Sequence, residues 1–258
     1  MTTSTQWQLA REAAERYQSI LTPAILGPFA RTLVGFATLQ PNEWVVDVGC
    51  GTGAAARYAA QVVGPSGRVT GVDINASMLE VARSLPAVPG AAIKWQEASA
   101  TQLPLPDHSA GSVLCAQTLQ FLPEKAASLT EMRRVVKPGG RVALSLWRPI
   151  QENPYFHALV EAMASHIGPD TAAGLNAAFA LYDSDAIYSL LKESGFQQVE
   201  MVVTQIDLPF PELAAFIPRH ISATPMAAGF ERAGAAAQQR VIQDVTGRLV
   251  PYVTAGHA

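Results

Sequence analysis

The segment Val45-Val46-Asp47-Val48 runs directly into Gly49-Cys50-Gly51-Thr52-Gly53, so an apolar, β-branched stretch ends in three glycines spaced two apart. This pattern predicts a buried parallel strand and a loop whose backbone turns sharply and approaches a ligand where any Cβ would collide. A helix N-terminus beyond the loop completes the arrangement of a nucleoside-cofactor site. Twenty residues past Gly53, the segment Arg68-Val69-Thr70-Gly71-Val72-Asp73 reads as a second strand ending in an acid. An acid there is suited to gripping both hydroxyls of a ribose. The spacing then narrows the ligand. A dinucleotide loop is G-x-G-x-x-G, because a pyrophosphate needs a helix N-terminus at close range. Here the order is G-x-G-x-G with Ala54 next, and Asp47 stands two residues before the first glycine. A carboxylate in that place repels a pyrophosphate and favours a ligand carrying positive charge. Asp73 has a second use open to it, as N-cap of the following helix, although Asn75 suits that role better.

These motifs resemble those of the class I S-adenosylmethionine-dependent methyltransferases, and among them the UbiE-like group, over residues 7 to 210 or so. The resemblance implies a cofactor bearing an ammonium and a sulfonium instead of phosphates. It implies that Gly49, Cys50, Gly51 and Gly53 pass under the methionine part, with Asp47 holding the ammonium directly or through water. Asp73 would take the ribose hydroxyls, and Ile74 and Met78 would sandwich the adenine. Tyr17 resembles an aromatic that closes over the methionine carboxylate, and it reads equally well as a core aromatic packing its helix onto the sheet. After the third strand the family carries an acid in a Gly-Asp-Ala pattern, where this chain has Ala98-Ser99-Ala100 before Leu103-Pro104. Ser99 thus takes the place of the acid that meets the adenine amino group. The family's Phe-Asp opening of the fourth strand is Ala110-Gly111 here. After that strand, the backbone of Cys115 and Ala116 would run near the sulfonium. Gln117 and Gln120 are polar in an otherwise apolar turn, which points them either at the site or at ordinary loop hydrogen bonds.

The implied reaction is methyl transfer from S-adenosylmethionine, leaving S-adenosylhomocysteine, to a small, apolar or aromatic metabolite. A sulfonium methyl is already activated, so the protein has mainly to orient the acceptor and exclude water, effects worth roughly 7 to 11 kcal/mol. A dedicated catalytic residue is therefore not required, but a phenol or activated-carbon acceptor would gain from a general base. His157, in Pro154-Tyr155-Phe156-His157, is the best placed candidate, with His166 and His220 behind it. Each of the three also reads as a solvent-facing helix residue. Phe179, Tyr182, Phe210, Phe216, Met226 and Phe230 either line an acceptor pocket or form core. The departures at Ser99, Ala110 and Gly111 keep two other readings open: the same cofactor used for cyclisation or decarboxylation, or a cofactor-binding partner subunit without turnover.

The elements that must hold these residues alternate. Helices are expected within residues 7–38, separated at Pro23 and Gly27-Pro28. Strands follow at 43–48, 68–73, 91–96, 111–116 and 140–147, with helices at 53–63, 76–84 and 123–136 between them. Further helices read at 154–167 and 184–194, a strand or hairpin arm at 198–208, and Ala-rich helix from 211 to 250. Glu124, Lys125, Glu131, Arg133 and Arg134 read as a solvated helix face. Alternating strands and helices make an α/β fold. The expectation is a Rossmann-like, seven-stranded, mostly parallel sheet with helices on both faces. Its organisation reads as an N-terminal helical cap (1–40), a cofactor-binding core (41–150), the rest of that fold (151–210) and a helical lid or substrate-binding segment (211–258). With 258 residues, 49% hydrophobic, the chain can bury a sizeable core, and a net charge of −3 without a basic stripe argues against nucleic acid. No stretch approaches the length of a membrane span, and no leader is read at the N-terminus, so a cytoplasmic monomer or homodimer is expected. Cys50 and Cys115, the two cysteines, make neither a disulfide framework nor a metal site and read as small buried thiols.

Overall fold

The computed structural model describes residues 10–210 and 212–252, and the chain forms two compact units, Met1–Leu146 with Asp183–Asp207, and Trp147–Tyr182 with Leu208–Ala258. In the first unit β1 (Trp44–Val48), β2 (Arg68–Asp73), β3 (Ile93–Glu97), β4 (Ala110–Ala116) and β5 (Val136–Ser145) make one sheet in the order β3-β2-β1-β4-β5, with every pairing parallel. The helices of this unit are α1 (Arg11–Arg16), α2 (Gly27–Phe36), α3 (Ala54–Val63), α4 (Ala76–Ser84), α5 (Lys125–Val135) and, later in the chain, α8 (Ser184–Glu193). Right-handed crossovers put α3 and α4 on one face and α5 on the other, because the chain moves outward from β1 in one direction and from β4 in the opposite one. The face under α2 and α3 is packed with small alanines, Ala55, Ala56, Ala59 and Ala60, against Val45, Val69 and Leu114. Strand order reverses between β1 and β4, where a crevice opens beyond the carboxyl ends of open α/β sheets.

Five expectations need correction. The sheet has five strands among the described residues, not seven. Residues 198–208 form no strand; Met201, Val202 and Val203 are exposed there, so no neighbouring backbone or core holds them in a ladder. Strand β5 starts at Val136 and takes in the Lys137-Pro138-Gly139-Gly140 turn, with a register shift against Ala110 and Ser112. The two separate N-terminal helices are one helical run. Between α1 and α2 lies a π-helical segment, Tyr17–Leu26, with Pro23 inside it and the Thr22 hydroxyl donating to the Tyr17 carbonyl. The whole run, Arg11–Phe36, is long and apolar enough to cross a membrane (mean hydropathy 1.3), contrary to the expectation that no stretch approaches that length. It packs instead on α3, α4, β4 and β5 as part of the first unit.

The second unit is helical: α6 (Pro154–His166), α7 (Pro169–Ala172), α9 (Leu213–Ser222), α10 (Ala227–Arg232) and α11 (Gly234–Leu249). Helix α11 lies against α6 and α9, and Leu159, Met163, Ile217, Ile221, Val241 and Val245 form its core. Tyr155, Phe156, Phe210, Phe216 and His220 form an aromatic cluster beside it, edge-on at Tyr155–Phe156 and Phe156–His220 and stacked at Phe210–Phe216 (4.6 Å).

Candidate functional site

The glycine loop is held by its own backbone. Gly49 and Cys50 both donate to the carbonyl of Val72 (2.8 and 3.0 Å), and Gly53 donates to that of Cys50. All three glycines take positive φ, +69°, +54° and +90°. Their reasons differ. A Cβ on Gly49 would overlap Thr118, and one on Gly53 would overlap the Trp95 ring, whereas one on Gly51 would meet nothing within 4 Å. Gly51 therefore borders open space. Asp73 fastens this loop to the end of β2, accepting from Gly51 N (2.7 Å) through Oδ2 and from Asn75 N (2.8 Å) through Oδ1. Asn75 is the N-cap of α4, with its side chain accepting from Met78 N.

Asp47 is fully buried at the end of β1. Its Oδ2 accepts from Ala56 N (2.9 Å) in the first turn of α3, while Oδ1 is buried with no partner among the described residues. Burial pushes its carboxyl up to about 7; the Ala56 N–H opposes that shift and the charge of Asp73 adds to it. A buried anion with an unused oxygen calls for a cation. It faces a cavity with about 470 Å³ of empty space, open solvent included. Asp47, Gly49 and Cys50 wall it from β1, Ala116, Gln117 and Thr118 from β4, and Tyr17, Thr22 and Leu26 from the π-helical segment. Such segments are uncommon and recur at functional sites, because the wider turn re-aims side chains. Burial and the charges of Asp73 and Asp47 raise the Tyr17 phenol, so it stays protonated.

The structure brings together Tyr17, Asp47, Gly49, Cys50 and Ala116, with Gln117 beside them, and joins Gly51 and Asp73 through the loop. Other expected residues fall elsewhere. Met78 is buried in a small cluster with Ala14, Val81 and Tyr17, and Ile74 is half exposed just beyond β2. Ala98 donates its N–H to Asp73 O, and the Ser99 hydroxyl is taken up locally by Thr101 (2.8 Å to Oγ1) next to Ala100. Cys115 is sealed inside β4, its thiol pushed up to about 12 by burial, and Gln120 is buried behind Gln117. His157 is a half-exposed residue of the second unit, 4.0 Å from Glu161. His166 pairs with Asp244 at 3.1 Å. His220 is not the solvent-facing residue that its helical position suggests: it is buried, accepts or shares a 2.6 Å hydrogen bond with the Tyr155 hydroxyl, and burial lowers its pKa to about 3. The solvated face expected on α5 is in part a clamp, since Glu131 and Arg134 bind the backbone of Leu103 and Leu105. Thr22 and Leu26 were not legible as site residues; Pro23 inside a helical pattern was the only signal near them.

Comparison with known proteins agrees with this geometry. Residues 46–144 match the family model described as a methyltransferase domain. The chain is 31% identical over 173 residues to the ubiquinone/menaquinone biosynthesis C-methyltransferase UbiE of Cupriavidus pinatubonensis, covering 64% of this chain and 71% of that protein. It is 32% identical over 189 residues to the arsenite methyltransferase of Halobacterium salinarum, covering 73% of this chain and 46% of the relative. A crystal structure of a SAM-dependent methyltransferase from Aquifex aeolicus shares the fold, with a TM-score of 0.51 at 20% identity over 73% of this chain and 89% of the other. The chain belongs to the class I S-adenosylmethionine-dependent methyltransferases, in their UbiE-like group.

Proposed function

We propose that S-adenosylmethionine lies in the cavity beyond β1 and β4 with its ammonium against Asp47, and that its methyl goes to a small, apolar or aromatic metabolite. The observation that carries this reading is Oδ1 of Asp47 on the cavity wall, buried and without a partner among the described residues. The cofactor supplies a methyl group already activated by positive sulfur. Asp47 neutralises the ammonium, and Gly51 leaves the backbone open where the ligand passes. Asp73, besides bracing Gly51, keeps lone pairs for the ribose hydroxyls. Tyr17, Thr22 and Leu26 cover the cavity and exclude water, while Cys115 and Ala116 offer backbone at the end of β4. In this reading residues 1–40 act as a cap on the core at 41–150, and the chain works on a small molecule in the cytoplasm.

The two relatives' names point to different acceptors. Arsenite is thiophilic and is captured by thiolates. The two cysteines here, Cys50 and Cys115, are both buried, and burial raises both thiols far from ionisation. This favours a carbon-based acceptor. The test is calorimetric titration of the purified chain with S-adenosylmethionine, S-adenosylhomocysteine and, as control, NAD, followed by transfer of a labelled methyl to a panel of phenols and arsenite. Binding of both sulfur compounds without NAD, and label only in organic products, is the expected result. Label in arsenite, or no binding of either sulfur compound, overturns it.

A further inference from the structure

Tyr17, Thr22 and Leu26 all line the cavity, yet they belong to one helical segment and stand five and then four residues apart. The length of the helical turn decides whether they can share a wall. An α turn takes about 3.6 residues, so the nine steps from Tyr17 to Leu26 make about two and a half turns and set the two on opposite sides. A π turn, closed by bonds that reach back five residues, takes about 4.4. The same nine steps are then close to two whole turns, and all three side chains fall on one side. The hydrogen bonds agree with this register. Thr22 Oγ1 donates to the Tyr17 carbonyl at 3.4 Å and Gly27 N donates to the Thr22 carbonyl, each five residues back. The wall that this segment gives the cavity thus exists only in the π register.

Most sequences prefer the α register, and π-helix occurs mainly as single turns, so a π segment of ten residues needs something that bars the alternative. Pro23 does so. In an α-helix its ring would collide with the carbonyl of Ser19, four residues back, and that carbonyl would also lose its donor. The wider π turn clears the ring. Gly27 suits the same register at the other end, since a Cβ there would lie 2.7 Å from the oxygen of the Thr22 carbonyl that its own N–H reaches. Pro23 itself is exposed and does not line the cavity, so its effect passes through the backbone. We propose that Pro23 is a positioning residue for cofactor binding, which excludes the α register and so keeps Tyr17, Thr22 and Leu26 together on the cavity wall. The inference rests on the cofactor reading above and adds the device that shapes its N-terminal cover.

The test is calorimetric titration of wild type, Pro23→Ala and Gly27→Ala with S-adenosylhomocysteine, beside a thermal melt of each. Alanine is the best residue for an α-helix interior and proline the worst, so Pro23→Ala releases the segment into the α register and favours it there. That variant is expected to melt no lower than wild type and yet to bind about tenfold or more weakly, because a preorganised wall has been lost while helix was gained. A ring that served only the fold would lower the melting temperature when removed and could not separate the two readings. Gly27→Ala, which sets a methyl against the Thr22 carbonyl, is expected to weaken binding in the same direction, and it decides the matter if Pro23→Ala does not fold. Wild-type affinity in either variant, or weaker binding of Pro23→Ala accompanied by a lower melting temperature, overturns the proposal while the cofactor reading stands. Failure of wild type to bind S-adenosylhomocysteine overturns the cofactor reading itself and this inference with it.

Discussion

Gly49 and Gly51 stand two residues apart in one loop, yet substitution should separate binding from folding. At Gly51 a side chain enters open space at φ +54°. Gly51→Val should keep the fold at a cost of about 1 to 2 kcal/mol of left-handed strain and abolish binding of S-adenosylhomocysteine. Gly49→Ala instead drives a Cβ into Thr118, whose hydroxyl is fixed by the carbonyls of Gly49 and Ala116 at 3.0 Å each. It should lose about 2 to 3 kcal/mol of stability. Thermal melting beside calorimetry distinguishes the two, and equal affinity in Gly51→Val would remove the loop from the site. Asp47 adds a pH signature. Only its ionised form attracts an ammonium, and burial sets its carboxyl near 7. Affinity for S-adenosylmethionine should therefore climb between pH 5.5 and 7.5, with a proton released on binding below 7 and heats that depend on buffer ionisation. Asp47→Asn should flatten the profile; a flat profile in wild type would place the ammonium elsewhere.

At the scale of elements, the segment from Ala98 to Asp107 has no regular structure, and α5 holds it. Arg134 donates to the carbonyls of Leu103 and Leu105 (2.9 Å each), to Asp107 (2.6 Å) and to Glu131, which in turn accepts from Leu103 N at 2.9 Å. The planar fork reaches all these acceptors at once, and an ammonium on a single stem cannot. Arg134→Lys should cost about 1 to 3 kcal/mol, discounted for partial exposure, and speed amide exchange across 98–107. Unchanged exchange there would show that the loop holds itself. This clamp was illegible in the sequence, because Glu131 and Arg134 sit at a spacing shared by any solvated helix face and their partners are carbonyls nearly thirty residues away. The glycine loop, the acid ending β2 and the Asn75 cap were legible, since each follows from local backbone geometry. The π-helical segment was not, because Pro23 signals a break as readily as a widened turn. The arm at 198–208 has strand-like composition, but a strand also needs a neighbour, which composition does not encode.

For the molecule as a whole, the two units carry ionisable groups that respond to acid in opposite senses. In the first unit, burial raises Asp47 and Asp73 above the ordinary 3.8. The folded form then keeps protons that the unfolded chain releases, so their contribution to stability is greatest at low pH and declines as pH rises through the folded pKa. In the second unit His220 lies at about 3 against the ordinary 6.5. There the unfolded chain takes up a proton that the folded form refuses, so stability is complete above 6.5 and falls as pH drops toward 3. Asp244, lowered first by its hydrogen bond to Arg248, loses its contribution only below about 4, and as a surface pair its effect is small. Between pH 6.5 and 4.5 the second unit should therefore weaken while the first strengthens. Hydrogen exchange, corrected for intrinsic rates, should show α6 and α9 losing protection on acidification before β1 and β4 do. His220→Gln, which retains a hydrogen-bonding group for Tyr155 and does not titrate, should remove that loss. If β1 and β4 open first, or the variant keeps the acid limb, the buried histidine is not what sets the acid stability of the helical unit.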